Sequence, residues 1–408
     1  MKTTMVIPTY WARETKVGWK KGDAIFDHPT PLDQEEILLR AIQSIKILND
    51  KDFQLVIIAA AISPDIEPKV EEKVKGIIKS ADVDVEILLF SHSHLRQIHQ
   101  LFSSKDKEKY ISLLQMHGYS NIRNLCVFLP HILSSEIAVL IDDDEVFEDP
   151  AFMGKAKEFI GKRFHGRAVD GVAGYYLQPD GEYRLKKEFL PWMAYWEQLE
   201  AMNRAFDEVI ATPPRLKETP FAFGGNMIIH QDLFRVVPFD PNVPRGEDID
   251  YLMNARMFGF YFFLDSELSI KHLPPPKTHP TWRRLRVDIF RFLFEKAKID
   301  TQRPIPNMDM VVPEDFDPYP GCFLKSDLED KIYRSNLMLA LDYLSKGDKL
   351  GCEEALNNIS LAKAFVKDHP DPFGDLLSLQ RSWQEMMEYT AQREILSKIR
   401  KIVKRGQR

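Results

Sequence analysis

Apolar positions in the first 150 residues fall alternately into two periods. Short, nearly continuous apolar runs at 4–7, 53–62, 83–90 and 137–141 predict buried strands, because a strand covered on both faces loses the in–out alternation. Between them, 34–48 places Ile37, Leu38, Ala41, Ile42, Ile45 and Leu48 on one side of a helix. Segments 66–80 and 121–133 also read as helices. Strands alternating with helices predict a mainly parallel sheet covered by helices. Pro8 is expected to end the first strand. The polar stretch 11–31 is expected to form a long loop of the kind that usually carries function.

The order changes after Asp149. A strand is expected at 168–177, a turn at Gln178-Pro179-Asp180-Gly181, and a helix at 192–210. A strand at 222–229 is broken by Gly224 and Gly225, and a helix at 248–258 precedes a strand at 261–264. From 326 onward the pattern is helical, with a break at His369-Pro370-Asp371-Pro372. The expected organisation is an α/β domain over 1–320, with halves near 1–150 and 151–320, and a helical segment over 321–408.

A chain of 408 residues can bury a large core. Its net charge of -6 argues against nonspecific nucleic-acid binding, which needs a basic field. Cys126, Cys322 and Cys352 are far apart and form no CxxC pair, so neither a zinc site nor a disulfide framework is expected. The expected compartment is reducing cytoplasm. Met1 to Pro8 enters a strand pattern at once, without the look of a signal peptide. No apolar run approaches the roughly 18 residues of a membrane span.

Chemistry concentrates in Asp142-Asp143-Asp144, directly after the apolar run Val139-Leu140-Ile141. Acids at the C-terminal end of a buried strand lie where open α/β sheets place ligands. Carboxylates this close repel one another unless a cation neutralises them, and hard oxygen ligands suit Mg²⁺ or Mn²⁺. An acidic solvated loop is the plainer alternative. Gly224-Gly225-Asn226 inside a strand marks either a bulge or a close backbone approach to a ligand. Arg245-Gly246-Glu247-Asp248 opens a helix, where acids also serve as caps. Lys271-His272-Leu273 precedes Pro274-Pro275-Pro276, which could fix His272 in place.

The succession of strand, Asp-x-Asp, Gly-Gly-Asn, Gly-Glu-Asp and His resembles the GT-A glycosyltransferases, in particular the family 2 group, over about residues 4–280. Gly118-Tyr119-Ser120-Asn121-Ile122-Arg123-Asn124 and the opening Val6-Ile7-Pro8-Thr9-Tyr10 fit the same pattern. The resemblance implies a GT-A, Rossmann-like fold and a donor that is a UDP- or GDP-linked sugar. It implies that Pro8, Thr9 and Tyr10 meet the nucleotide, and that Arg123 and Asn124 meet the donor sugar or diphosphate. Asp142 would contact the ribose or nucleotide and Asp143 would assist. Asp144 would bind Mn²⁺ or Mg²⁺, with His272 as a second ligand. Gly224, Gly225 and Asn226 would approach the donor sugar and the acceptor. Asp248 would be the base of an inverting transfer, with Glu247 as its rival. In some retaining GT-A enzymes, including the compatible-solute type, the same acid orients the acceptor and is not the base. Two other classes stay open: a non-catalytic nucleotide-sugar-binding scaffold, and a sugar nucleotidyltransferase. The latter usually has a glycine-rich loop where this chain has Pro8-Thr9-Tyr10-Trp11.

Segment 279–291 carries Arg283, Arg284, Arg286 and Arg291 among apolar residues. Arginine favours bidentate phosphate or carboxylate contacts, so Arg283 and Arg284 are expected to hold either an anionic acceptor, such as a sugar phosphate, a glycerate or a lipid-linked glycan, or the donor diphosphate. An amphipathic surface helix is the plainer alternative. The tail 394–408 sets Ile395, Leu396, Ile399, Ile402 and Val403 against Lys398, Arg400, Lys401, Lys404 and Arg405. It reads either as a helix lying on an anionic membrane surface or as one docked on the protein or on a second copy.

Overall fold

The computed structural model describes residues 1–405 apart from 21, 25, 27 and 276–278. The last proline of the triplet after His272 and the last three residues of the basic tail therefore lie outside the described residues. In chain order the first half contains β1 (Thr3–Ala12), β2 (Thr30–Pro31), α1 (Glu36–Ser44), β3 (Gln54–Ala61), α2 (Glu67–Ser80), β4 (Ile87–Ser91), α3 (His92–Ser103), α4 (Tyr119–Ile132) and β5 (Ile137–Ile141). Then follow β6 (Glu145–Val146), α5 (Phe152–Glu158), β7 (Arg163–Phe164), β8 (Arg167–Ala168), β9 (Gly171–Leu177), α6 (Gln198–Val209), β10 (Leu216–Glu218), β11 (Asn226–His230), α7 (Gln231–Phe234), α8 (Glu247–Met257) and β12 (Phe262–His272). Five helices close the chain: α9 (Thr281–Asp300), α10 (Leu328–Ser345), α11 (Lys349–Asp368), α12 (Pro372–Thr390) and α13 (Arg393–Val403).

One sheet runs β10-β12-β9-β11-β5-β1-β3-β4, with β2 added to β1 and β6 to β12. Its first half is parallel, β1 pairing with both β3 and β5. Its second half is mixed, because β11 lies antiparallel to β5 and β9. The chain builds outward from β1 through β3 to β4, then returns to the other side of β1 with β5. That reversal leaves a crevice at the C-terminal ends of β1 and β5, the place where open α/β sheets bind ligands. The acid triplet follows β5 directly.

Several expectations need correcting. Pro8 does not end β1, which continues to Ala12. The β5 ladder stops at Val6↔Leu140 while the β3 ladder runs on to Trp11↔Ala61, and a strand paired on one side only can carry a proline. The stretch after Trp11 is not all loop, since β2 returns to pair with Trp11 and Ala12. Gly224 and Gly225 sit in a turn ahead of β11, not inside a strand. Helix α3 escaped the periodicity reading, and β12 reaches His272, well past 264.

The C-terminal helices share the single apolar core. Trp383, Met386, Ile399 and Val403 are buried in it, and α13 packs on α3, α4 and β4. The apolar face of the tail, Ile395, Ile399 and Val403, is thus spent within the chain. This is the docked alternative, and it removes the face that a membrane-surface helix would insert. No helix among the described residues is long and apolar enough to cross a membrane.

Candidate active site

A cavity of about 630 Å³ opens at the crevice. Tyr10, Arg123, Asp142, Asp144, Gly224, Glu247, Asp248, His272, Arg284 and Arg291 all line it. Elements far apart in sequence supply these groups, so the clustering is a property of the fold.

Backbone register brings Asp144 and His272 together. After the acid turn, β6 pairs antiparallel with the end of β12, Glu145 opposite His272. The Leu273 N–H donates to the Asp144 carbonyl at 2.8 Å. The side chains then meet, His272 Nε2 lying 3.4 Å from Asp144 Oδ2. Tyr176 stacks on the His272 ring at 4.8 Å. Burial pushes the Asp144 carboxyl up, but His272 pulls it further the other way, helped by His28, and it ends below the usual range. A carboxylate oxygen and an imidazole nitrogen on one cavity wall could together hold a divalent ion that phosphate also reaches. Among the described residues no group of three or more His, Cys, Asp or Glu forms a metal cage. Further ligands would have to come from substrate or water.

Arg123 holds the first acid. Its guanidinium contacts Asp142 at 2.8 Å and Glu247 at 3.1 Å, and all but a few per cent of it is buried. Asp143 turns away from the cavity toward Thr9 and the Tyr10 backbone. Burial first, and Asp144 second, hold its carboxyl well above the usual range. Glu145, also buried, accepts the Asp142 N–H at 2.9 Å and so fixes the turn. Its carboxyl is pushed up by burial and by Asp142 and Asp144.

The glycine pair has a steric reason: a Cβ at Gly224 would come within 2.6 Å of Arg123 Nη2. The Gly224 N–H donates to Asp248 Oδ2 at 2.9 Å, and the Gly225 N–H to Tyr176 Oη at 2.8 Å. Asp248 Oδ1 accepts the N–H of Ile249 at 2.9 Å, so both of its oxygens are oriented by backbone. Glu247 is buried and tied to Arg123, and burial raises its carboxyl against the pull of that arginine. Both acids open α8, where the helix dipole favours negative charge.

Other sequence candidates are placed elsewhere. Asn124 donates to and accepts from the Phe239 backbone at 2.9 and 2.8 Å, with 1% exposure. Asn226 is fully buried and donates to the carbonyls of Leu268 and Tyr175. Neither side chain reaches the cavity, and both fasten strands and loops behind it. Pro8 and Thr9 are buried in β1 without lining the cavity, whereas Tyr10 lines it. Arg283 lies over the Trp19 ring, 5.7 Å from its centroid, rather than in the cavity. Arg286 is taken by Asn358 and Glu354 of α11.

Sequence reasoning missed several lining residues. His28 comes from the long loop, where no motif marks it. Phe26 of the same loop packs on Tyr10 and Tyr119 at 4.5 and 5.2 Å, and Arg13 clamps Asp23 and Asp65, so the loop is anchored at two points. Tyr176 in β9 and Trp192 in the short helical turn Pro191–Tyr195 were missed because aromatic residues in strands and helices read as ordinary core.

No protein-family profile and no curated protein matches the chain. Among solved structures, the mannosyltransferase PcManGT from Pyrobaculum calidifontis, in complex with GDP-Man and Mn²⁺, is similar at TM-score 0.45 and 13% identity, covering 95% of this chain and 84% of that one. A mycobacterial protein is similar at 0.37 and 13%, over 72% of each chain. A197 from STIV is similar at 0.27 and 9%, over 69% of this chain and 98% of its own.

Proposed function

We propose that the chain is a GT-A-type glycosyltransferase, moving a sugar from a nucleoside-diphosphate sugar to a hydroxyl acceptor with Mn²⁺ or Mg²⁺. The observation that carries this reading is the opening of Asp142, Asp144, His272 and Asp248 into one cavity at the switch point of the sheet.

Asp144 and His272 would hold the divalent ion, which when bound offsets the charge building on the leaving diphosphate. Asp142, its carboxylate squared by Arg123, faces the nucleotide side. Asp248 is oriented by the N–H groups of Gly224 and Ile249 and takes the proton of the acceptor hydroxyl. As that oxygen bonds to the anomeric carbon, the bond from this carbon to the diphosphate oxygen breaks. The nucleoside diphosphate leaves with the electron pair. Glu247 is the poorer base, because Arg123 already occupies it in a buried pair; it positions Arg123.

The test is calorimetric titration of UDP and GDP, each with Mn²⁺ and with EDTA, on the full chain and on Asp144→Ala. Metal-dependent binding of one nucleotide, weakened at least tenfold in the variant, is the expected result. If neither these nor ADP and CMP bind, the reading fails. Product stereochemistry tests the base: inversion fits Asp248 in that role, and retention would leave it only to orient the acceptor.

A further inference from the structure

Helix α9 turns one face toward the cavity, with Arg284, Asp288 and Arg291 at positions i, i+4 and i+7. Residues at this spacing share a helix face. Arg245 comes from the loop that leads into Asp248, and its Nη1 lies 3.7 Å from Asp288 Oδ1. Lys187 reaches the same cavity from the segment before α6. Lys187, Arg245 and Arg284 are thus gathered around Asp288. Enclosure by protein first, then repulsion from Arg284 and Arg245 against the pull of Asp288, lowers the Lys187 ammonium from its usual range.

Two buried polar atoms add to this. Arg284 Nε and Arg291 Nη2 have no hydrogen-bond partner among the described residues. Arg291 does pair through Nε with Glu295 at 2.8 Å, so its charge is balanced while one donor is left over. Three cations around the carboxylate of Asp288 leave positive charge in excess and a donor unmet, which a further anion would satisfy. Arginine forks match phosphate and carboxylate. The same cavity is walled by Trp192, Met193, Leu199, Met202 and Phe206, a surface suited to a sugar face or an alkyl chain.

We infer that the acceptor carries a phosphate or carboxylate, gripped by Lys187, Arg245 and Arg284, which sets its hydroxyl beside Asp248. This rests on the transferase reading and names the acceptor class that the reading leaves open. Only Gly246 and Glu247 lie between Arg245 and Asp248 along the chain, so the anion and the reacting hydroxyl belong to one small molecule or one headgroup. Arg283 has no part in the grip.

The probe is inorganic phosphate, titrated into the full chain with the nucleotide and Mn²⁺ already saturating, so that the diphosphate position is filled. Wild type should bind it saturably and with strong salt dependence. Arg284→Gln combined with Lys187→Met should weaken it at least tenfold, while nucleotide affinity stays within twofold. Glycerol 3-phosphate and farnesyl phosphate then separate the sources: tighter binding of the first assigns a water-soluble acceptor, of the second a lipid-linked one. No binding of any of the three probes, or binding unchanged in the double variant, overturns the inference. Should nucleotide binding itself be absent, the transferase reading fails; phosphate binding without nucleotide, lost in the double variant, would still uphold the anion site.

Discussion

Gly225 lies where the carboxyl of Glu145 leaves no space for a side chain: a Cβ built there would come within 2.1 Å of Glu145 Oε1. Glu145 cannot simply swing aside, because it is buried and its other oxygen accepts the Asp142 N–H. The glycine and the acid turn are therefore one packed unit, and the shape of the turn depends on a residue about eighty positions later.

Gly225→Ala should accordingly cost about 1–3 kcal/mol, the usual range for overpacking a filled site. It should also weaken metal-dependent nucleotide binding, because the displaced carboxyl no longer holds the backbone of Asp142. Thermal unfolding and nucleotide titration together check this. Wild-type values in both would mean that Glu145 yields freely and that the contact does not shape the turn.

Asp248 and Glu247 are neighbours with different surroundings, and substitution should separate them. Asp248→Asn is expected to slow transfer by about 10²–10⁴-fold, the usual worth of a general base, with nucleotide affinity nearly unchanged. Glu247→Gln leaves Arg123 facing Asp142 alone in a buried setting. A stability loss of about 1–3 kcal/mol is expected, visible as a lower unfolding midpoint. The reverse pattern, a slow but stable Glu247→Gln and an active Asp248→Asn, would transfer the base role to Glu247.

His131, buried between α4 and α12, meets Thr390 Oγ1 through Nε2 at 3.2 Å. Burial first, then the charges of Arg235 and Arg400, bring it down to about 4, against about 6.5 in an unfolded chain. The unfolded state therefore takes up the proton first. Stability from the neutral ring is complete above pH 6.5 and is lost as the pH falls toward 4. At pH 5 the loss should be about 2 kcal/mol. His131→Gln removes this titration while keeping an amide near Thr390. Denaturant unfolding at pH 7.5 and pH 5 should show a smaller pH difference for the variant than for wild type. Equal differences would remove His131 as a source of acid sensitivity.

The sequence carried the sheet and its acid cluster because those signals are local. Apolar runs such as 137–141 and the acids that follow can be seen without tertiary information. Asp144 and His272 also stood out, but their meeting depends on the ladder between β6 and β12, and a two-residue strand such as Glu145–Val146 leaves no periodic trace. Asn124 and Asn226 show the opposite case. Each sits in a motif that suggests ligand contact, yet the backbone of Phe239 holds Asn124 through both its amide atoms, and the Asn226 amide group donates to the Leu268 and Tyr175 carbonyls. Arg283 and Arg284 are adjacent, and only the phase of α9 decides which of them faces the cavity. His28 lay in a loop whose course is set by Phe26 packing on Tyr10, a contact no spacing rule encodes.

The helical segment after residue 320 reads in the sequence as a separate stretch, yet the packing of its last two helices, α12 and α13, ties them into the core. Trp383 is fully buried and its indole N–H donates to the Phe234 carbonyl at 2.9 Å. Arg400 Nε donates to the Ile132 carbonyl at 2.6 Å, and Ile399 of α13 is fully buried. Trp383→Ala should cost about 3–5 kcal/mol through the cavity it leaves. A chain ending after residue 371 should lose cooperative unfolding, since the apolar surface of α3 and α4 would then face water. Calorimetric unfolding of both variants checks this. A truncated chain that melts in one sharp transition near the wild-type temperature would show that α12 and α13 are a separable cover rather than part of the core on which the site is built.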